Sequence, residues 1–166
     1  IAVEQLGWNA RQRAFLDLQD RPIATVFKLY PWEWMLREAF GMNLLAGRTR
    51  WIEPPWKMIL SNKAILTVLW DLFPDSEYLL PASFQPMGGT GSFVAKPIFG
   101  REGANISIVN QGQVIAQSGG YYDGMTFVYQ HYHPSASFDG KTAVFGSWMV
   151  NGHACGVGLR EDDGPI

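Results

Sequence analysis

Two lysines, an arginine and a run of glycines are the residues of this chain best suited to chemistry. Lys96 stands in Ser92-Phe93-Val94-Ala95-Lys96-Pro97-Ile98-Phe99-Gly100-Arg101-Glu102-Gly103-Ala104-Asn105, which reads as a strand entering a loop. Phe93, Val94 and Ile98 are β-prone, and Pro97 suits an edge or a strand end. Gly100 and Gly103 let the backbone turn tightly and approach a ligand. Ile106, Ile108 and Val109 then restart a strand. Backbone N–H groups pointing into such a turn, with Lys or Arg neutralising charge, suit a polyphosphate. The pattern is not a Walker loop, which needs Gly-Lys-Ser/Thr opening a helix. A plain hairpin with a solvated lysine is the other reading. Lys63 follows Ser61-Asn62, a pair that interrupts a helical period and places the lysine near a helix start. The helix dipole disfavours a cation there, and a bound anion would compensate.

These residues need elements to hold them. Residues 10–20 suggest a short helix with Phe15 and Leu18 on one face, and residues 23–29 a strand after Pro22. Pro31 and Glu33 suit the entry of a second helix, with Gly41 as its stop. Trp32 and Trp34 read as packing against the next helix, or as a ligand platform. Met58, Ile59, Ile65, Leu66, Leu69, Trp70 and Phe73 recur at helical spacing between Pro54-Pro55 and Pro74. Ser61 is placed to cap a new helix from Asn62 or Lys63. Further on, strands are expected at 78–80, 114–116 and 127–132, with turns or loops at 86–91 and 119–124. A hairpin closes around Asn151-Gly152, a favoured two-residue turn. The predicted class is α+β, with helices in the first half and a largely antiparallel sheet in the second.

At 166 residues the chain is long enough for one domain with a real core. A net charge of −2 gives no basic footprint for nucleic acid. The sequence lacks the apolar run of about 18 residues that spans a membrane, so no membrane partner is expected. Cys155 is the one cysteine, which excludes an intramolecular disulfide and suits a reducing, cytoplasmic setting. It is expected to be a buried, inert thiol. Seven Trp and ten Phe are numerous enough that some rings could line a pocket.

The order of elements resembles the ATP-grasp fold. More narrowly, Pro54-Pro55-Trp56-Lys57, Ser61-Asn62-Lys63-Ala64, the Lys96–Asn105 stretch and Gly156-Val157-Gly158-Leu159-Arg160-Glu161-Asp162 resemble the glutathionylspermidine synthase family, from about residue 30 onward. The resemblance implies that Lys63 and Lys96 contact the phosphates of ATP. It makes residues 100–105, with Arg101, Glu102 and Gly103, a lid. It makes Tyr129-Gln130-His131-Tyr132 a hinge whose backbone reads adenine, and it faces Arg160 to the nucleotide; Arg101 and Arg160 are the catalytic candidates. The implied reaction is carboxylate–amine ligation through an acylphosphate, using ATP and Mg²⁺. The implied partners are small-molecule carboxylates and amines, with a glutathione-like peptide and a polyamine the best-known substrates. The family's metal signature, Arg-x-Asp followed by Glu-x-Asn, is absent, so no metal ligand is assigned. Glu161, Asp162 and Asp163 read as a solvated acidic segment. Residues 1–166 are thus expected to form a single ATP-grasp-like domain, the C-terminal portion of a longer ligase, holding the ATP lobes and inactive alone.

Two rival readings remain. His131 and His133 alternate on a strand, so both rings could reach one metal. His153 is the only other histidine, which leaves such a site short of ligands. A noncatalytic, β-rich binding module using exposed aromatics as anchors is the third possibility.

Overall fold

The computed structural model describes residues 1–89 and 91–166. The chain divides into two compact units, Ile1–Asn62 and Lys63–Ile166.

The first unit opens with an antiparallel pair, β1 (Gly7–Asn9) and β2 (Ala14–Leu16), with Trp8 opposite Phe15. The helix predicted over residues 10–20 is therefore a hairpin. The Asn9 side chain accepts hydrogen bonds from the backbone N–H groups of Arg11 (3.1 Å) and Gln12 (3.0 Å). Asp17 does the same for Gln19 (2.9 Å) and Arg21 (3.0 Å). These short side chains offer the backbone turns in place of helical bonds. Then follow β3 (Thr25–Phe27), α1 (Trp32–Met35), α2 (Gly41–Ala46), β4 (Arg50–Ile52), which pairs in parallel with β3, and α3 (Met58–Ser61). Gly41 opens α2 rather than ending α1. A Cβ there would sit 2.6 Å from the Leu36 carbonyl oxygen, so only glycine fits. Phe15, Trp32, Met35 and Leu44 form the core, with Trp8, Phe40 and Trp51 packed on it. Trp32 thus packs inward, whereas Trp34 is partly exposed and meets Tyr30 edge-on at 5.5 Å.

The second unit begins with α4 (Ile65–Leu72). Ser61 does not cap it: its hydroxyl donates back to the Met58 carbonyl at 3.0 Å, and α4 starts without a side-chain cap. The expected strand at 78–80 is irregular, and β5 (Ala82–Ser83) comes slightly later. Thr90, within the expected 86–91 turn, lies outside the described residues. β6 (Phe93–Pro97), β7 (Ser107–Asn110), β8 (Gln113–Gln117) and β9 (Phe127–His131) complete an antiparallel sheet in the order β5-β9-β6-β7-β8. Ala82, Ala95, Ile108 and Val128 are its buried apolar residues, and α4 packs against β5 and β9. A second sheet holds β10 (Ser137–Phe138), β11 (Lys141–Val150) and β12 (His153–Asp162). Asn151 (φ 49°) and Gly152 (φ 79°) make the two-residue turn as predicted. Cys155, expected to be buried, is exposed on β12. Every residue of that strand is exposed, so an apolar sequence there does not entail burial. The α+β class stands: α1 to α4 precede residue 73, and the strands beyond pair antiparallel.

Candidate functional site

Lys96 leaves β6 beside β9, where it lies opposite Val128, and Val94 lies opposite Gln130. Alternation puts Lys96 and Gln130 on one face as diagonal neighbours. The Lys96 ammonium accordingly donates to Gln130 Oε1 at 2.8 Å. Ala95 and Pro97, its neighbours in sequence, are buried. Burial pushes the Lys96 pKa below the ordinary lysine value of 10.5, and the charge of Lys63 lowers it further.

Lys63 reaches the same place from another element. Its backbone N–H donates to the Ile98 carbonyl at 2.7 Å, and its ammonium donates to the Gly100 carbonyl. The approach to α4 is thereby tied to the segment that follows β6 at two points. The loop that follows is tightly built. Gly100 N–H returns to the Pro97 carbonyl at 3.0 Å, and Ala104 N–H to that of Arg101 at 2.9 Å. A Cβ on Gly100 would stand 2.7 Å from Pro97 Cγ. Glu102 (φ 51°), Gly103 (φ 72°) and Asn105 (φ 54°) all lie in the left-handed region. Arg101 and Glu102 are exposed on this loop. Two cations thus lie close enough to feel each other's charge, one desolvated and the other held at the glycine turn, and an anion is what such a place favours.

The four residues of the expected hinge have distinct places. Tyr129 and Gln130 pair with β5 on one side and β6 on the other. His131 N–H donates to the Pro81 carbonyl at 2.8 Å, and Tyr132 N–H to that of Ser92 at 3.0 Å. Both of those backbone donors are engaged within the sheet. The Tyr129 ring meets Phe93 edge-on at 5.6 Å, and the Gln130 side chain serves Lys96. Arg160 lies opposite Val144 on the β11–β12 pair. It lines a cleft of about 400 Å³ together with Glu102, Gly103, Glu161 and Asp162. Asp163 pairs with Lys141. His133 turns Nδ1 to the Pro134 carbonyl at 3.1 Å. Ser118, Gly120, Tyr122 and Asp123 surround the 100–105 loop, a role the sequence reading did not give them. The paired glycines at 119 and 120 were the signal.

The family model described as glutathionylspermidine synthase preATP-grasp matches residues 1–166. The chain belongs to the glutathionylspermidine synthase family. A Haemophilus influenzae protein whose name, acid–amine ligase, is a provisional one is 44% identical over 98% of this chain and 44% of its own length. A trypanothione synthetase of Crithidia fasciculata is 37% identical over 68% of this chain and 18% of its own. A bifunctional glutathionylspermidine synthetase/amidase of Escherichia coli is 30% identical over 97% of this chain and 30% of its own. The chain therefore spans less than half the length of these relatives. Among the described residues, no helix is long and apolar enough to cross a membrane.

Proposed function

We propose that this chain carries the nucleotide-reading part of an ATP-dependent carboxylate–amine ligase. The observation that carries the reading is the pairing of two lysines that feel each other's charge, Lys63 held at the Gly100 carbonyl and Lys96 at Gln130. A half-buried ammonium that also feels the charge of another ammonium is costly without an anion. A polyphosphate would relieve that cost, and its charge-assisted bonds are the strong kind. Bound ATP would supply the phosphoryl group that turns a substrate carboxylate into an acylphosphate, which an amine then opens to an amide. In this scheme Lys63 and Lys96 hold the phosphates. Arg160, which lines the cleft with Glu102 and Gly103, and Arg101, the residue before them on the loop, meet charge as it develops. The 100–105 loop covers the site and keeps water from the activated carboxylate. Tyr129, Gln130, His131 and Tyr132 border the base. With the His131 and Tyr132 N–H groups engaged, carbonyls and side chains are left to read it.

Mg²⁺ belongs to the proposed reaction. The described residues offer no group of three His, Cys, Asp or Glu to hold a metal, and no step here runs through one. The relatives' names point to a glutathione-like peptide and a polyamine as the substrate classes, and the proposed compartment is the cytoplasm. Residues 1–166 alone are expected to bind nucleotide weakly and to form no amide. The test uses the intact protein with ATP, Mg²⁺ and a panel of glutathione-like carboxylates and polyamines, following phosphate release and amide mass. ATP-dependent amide formation supports the reading. Failure to bind an ATP analogue sinks it.

A further inference from the structure

The path from β8 to β9 constrains the phosphate loop. In the order β5-β9-β6-β7-β8, β8 is an edge strand, and the chain must pass β7 and β6 to reach β9. Antiparallel pairing puts the β6–β7 loop and the β8–β9 connection at the same end of the sheet. The connection, residues 118–126, therefore runs as a strap beside the 100–105 loop. Its far end is fixed where Ile98 N–H donates to the Thr126 carbonyl at 3.0 Å.

Asn105 is where strap and loop are joined. Its side-chain Nδ2 donates to Asp123 Oδ1 at 2.9 Å. Its Oδ1 accepts the Tyr122 backbone N–H at 2.9 Å. Its own N–H donates to the Gly119 carbonyl at 3.1 Å. Ser118 completes the seam: its hydroxyl donates to the Gly103 carbonyl and accepts the Ile106 N–H at 3.0 Å. The approach is close enough to demand glycine at 120. A Cβ there would lie 2.3 Å from Asn105 Oδ1 and 2.7 Å from Ala104 Cβ. One side chain thus uses both ends of its amide on the strap, from a left-handed backbone position that asparagine tolerates better than most residues.

We propose that Asn105, with Asp123 as its partner, is the positioning residue of the phosphate loop. It makes the 100–105 loop and the 118–123 strap one body without touching the nucleotide. The proposal rests on the nucleotide reading above. An untethered loop of this kind samples many conformations, and each binding event would have to pay for ordering it. With the strap attached, that ordering is done in the free protein, so the pin acts on affinity for the phosphates.

Asn105→Asp tests this by placing a carboxylate against Asp123. In the intact protein, the dissociation constant of a non-hydrolysable ATP analogue should rise about tenfold, the scale of one lost hydrogen bond with two carboxylates left facing each other. Amide hydrogen exchange should quicken across 100–106 and 118–123 with no nucleotide present. Adding Asp123→Asn recreates the pair with its polarity reversed, because the introduced amide on the strap then donates to the introduced carboxylate on the loop. Affinity and protection should both return, which a merely destabilised fold would not show. Gly120→Ala is the second variant and should loosen the same seam from the other side. Lys96→Met is measured alongside. Weakened binding in Lys96→Met with unchanged binding in Asn105→Asp overturns the pin alone. Failure of the Asp123→Asn exchange to restore Asn105→Asp also overturns it. Unchanged binding in both single variants overturns the nucleotide reading on which the pin rests.

Discussion

Replacing Lys96 by Met separates affinity from stability in this site. Methionine keeps the length and apolar stem of the side chain and removes the ammonium. The folded protein loses one hydrogen bond, the 2.8 Å contact to Gln130 Oε1. It also sheds a desolvated cation that stands near a second one. A bond to a charged group is worth about 1.5–3 kcal/mol, and relief of the buried charge works in the opposite direction. The denaturation midpoint should therefore move little. Nucleotide binding has no such offset. The phosphate loses one charge-assisted contact of the same size, about 1.5–3 kcal/mol, which weakens binding roughly 10- to 150-fold. Calorimetric titration of the intact protein with an ATP analogue reads the affinity, and urea unfolding reads the stability. Equal affinity in wild type and variant would refute the assignment of Lys96 to a phosphate. A fall in affinity matched by a collapse in stability would refute the argument that the two are separable.

Gly100→Ala should impair nucleotide binding, because its Cβ would meet the Pro97 ring at 2.7 Å and shift the loop; titration with the same analogue checks it. Phe15→Ala should cost about 3–5 kcal/mol, since Phe15 is fully buried among Trp8, Phe40 and Trp51, and denaturant unfolding reads this directly. A lowered lysine pKa means that the folded state releases the Lys96 proton before the unfolded state does. The unfavourable contribution is fully present below the folded pKa and vanishes above 10.5, so stability should rise with pH through that alkaline window. Lys96→Met should lack this rise, and paired urea midpoints measured against pH will show whether it does. Arg21→Ala should raise the depressed Asp17 pKa, because the Arg21 side chain is the largest cause of the depression, followed by its backbone N–H; NMR titration of the Asp17 carboxyl tests it.

What the sequence disclosed followed from strong local signals. Asn151-Gly152 specifies its turn by backbone preference alone, and the helical period before Pro74 produces α4. The 10–20 stretch misled because its apolar residues fit a helical face, while Asn9 and Asp17 draw backbone N–H groups into turns. Periodicity carries no information about that competition. Ser61 looked like a cap by type, yet its hydroxyl is used by the turn before it. At the candidate site, Lys63, Lys96 and the glycine loop stood out as cations and glycines near a helix start and a strand end, although a solvated lysine on a plain hairpin fitted the same residues. Their mutual geometry was not. The bond from Lys63 to Gly100 spans 37 positions, and the Asn105–Asp123 contact spans 18. Cys155 shows the opposite failure: an apolar strand predicted burial, but exposure depends on what covers a hairpin.

The site departs from local stability in a consistent direction. The end of β6 could have been finished with apolar residues, since Ala95, Pro97 and Val128 around it are buried. Instead it carries Lys96, with Lys63 tied at the Gly100 turn, and their repulsion lowers the Lys96 pKa after burial has done so. The loop above holds three departures from ordinary backbone, at Glu102, Gly103 and Asn105, two of them on residues with side chains. The crowded cations, and the left-handed Glu102 and Asn105, oppose folding when taken alone, whereas glycine at 103 adopts its conformation freely. In the reading proposed above, an anion beside the two lysines would offset the charge part of that cost. The Asn105–Asp123 seam fits the same logic from the other side. Strain is retained only where the surroundings hold it, and the strap of residues 118–123 supplies hydrogen bonds that keep the loop in its unfavourable shape before any nucleotide arrives.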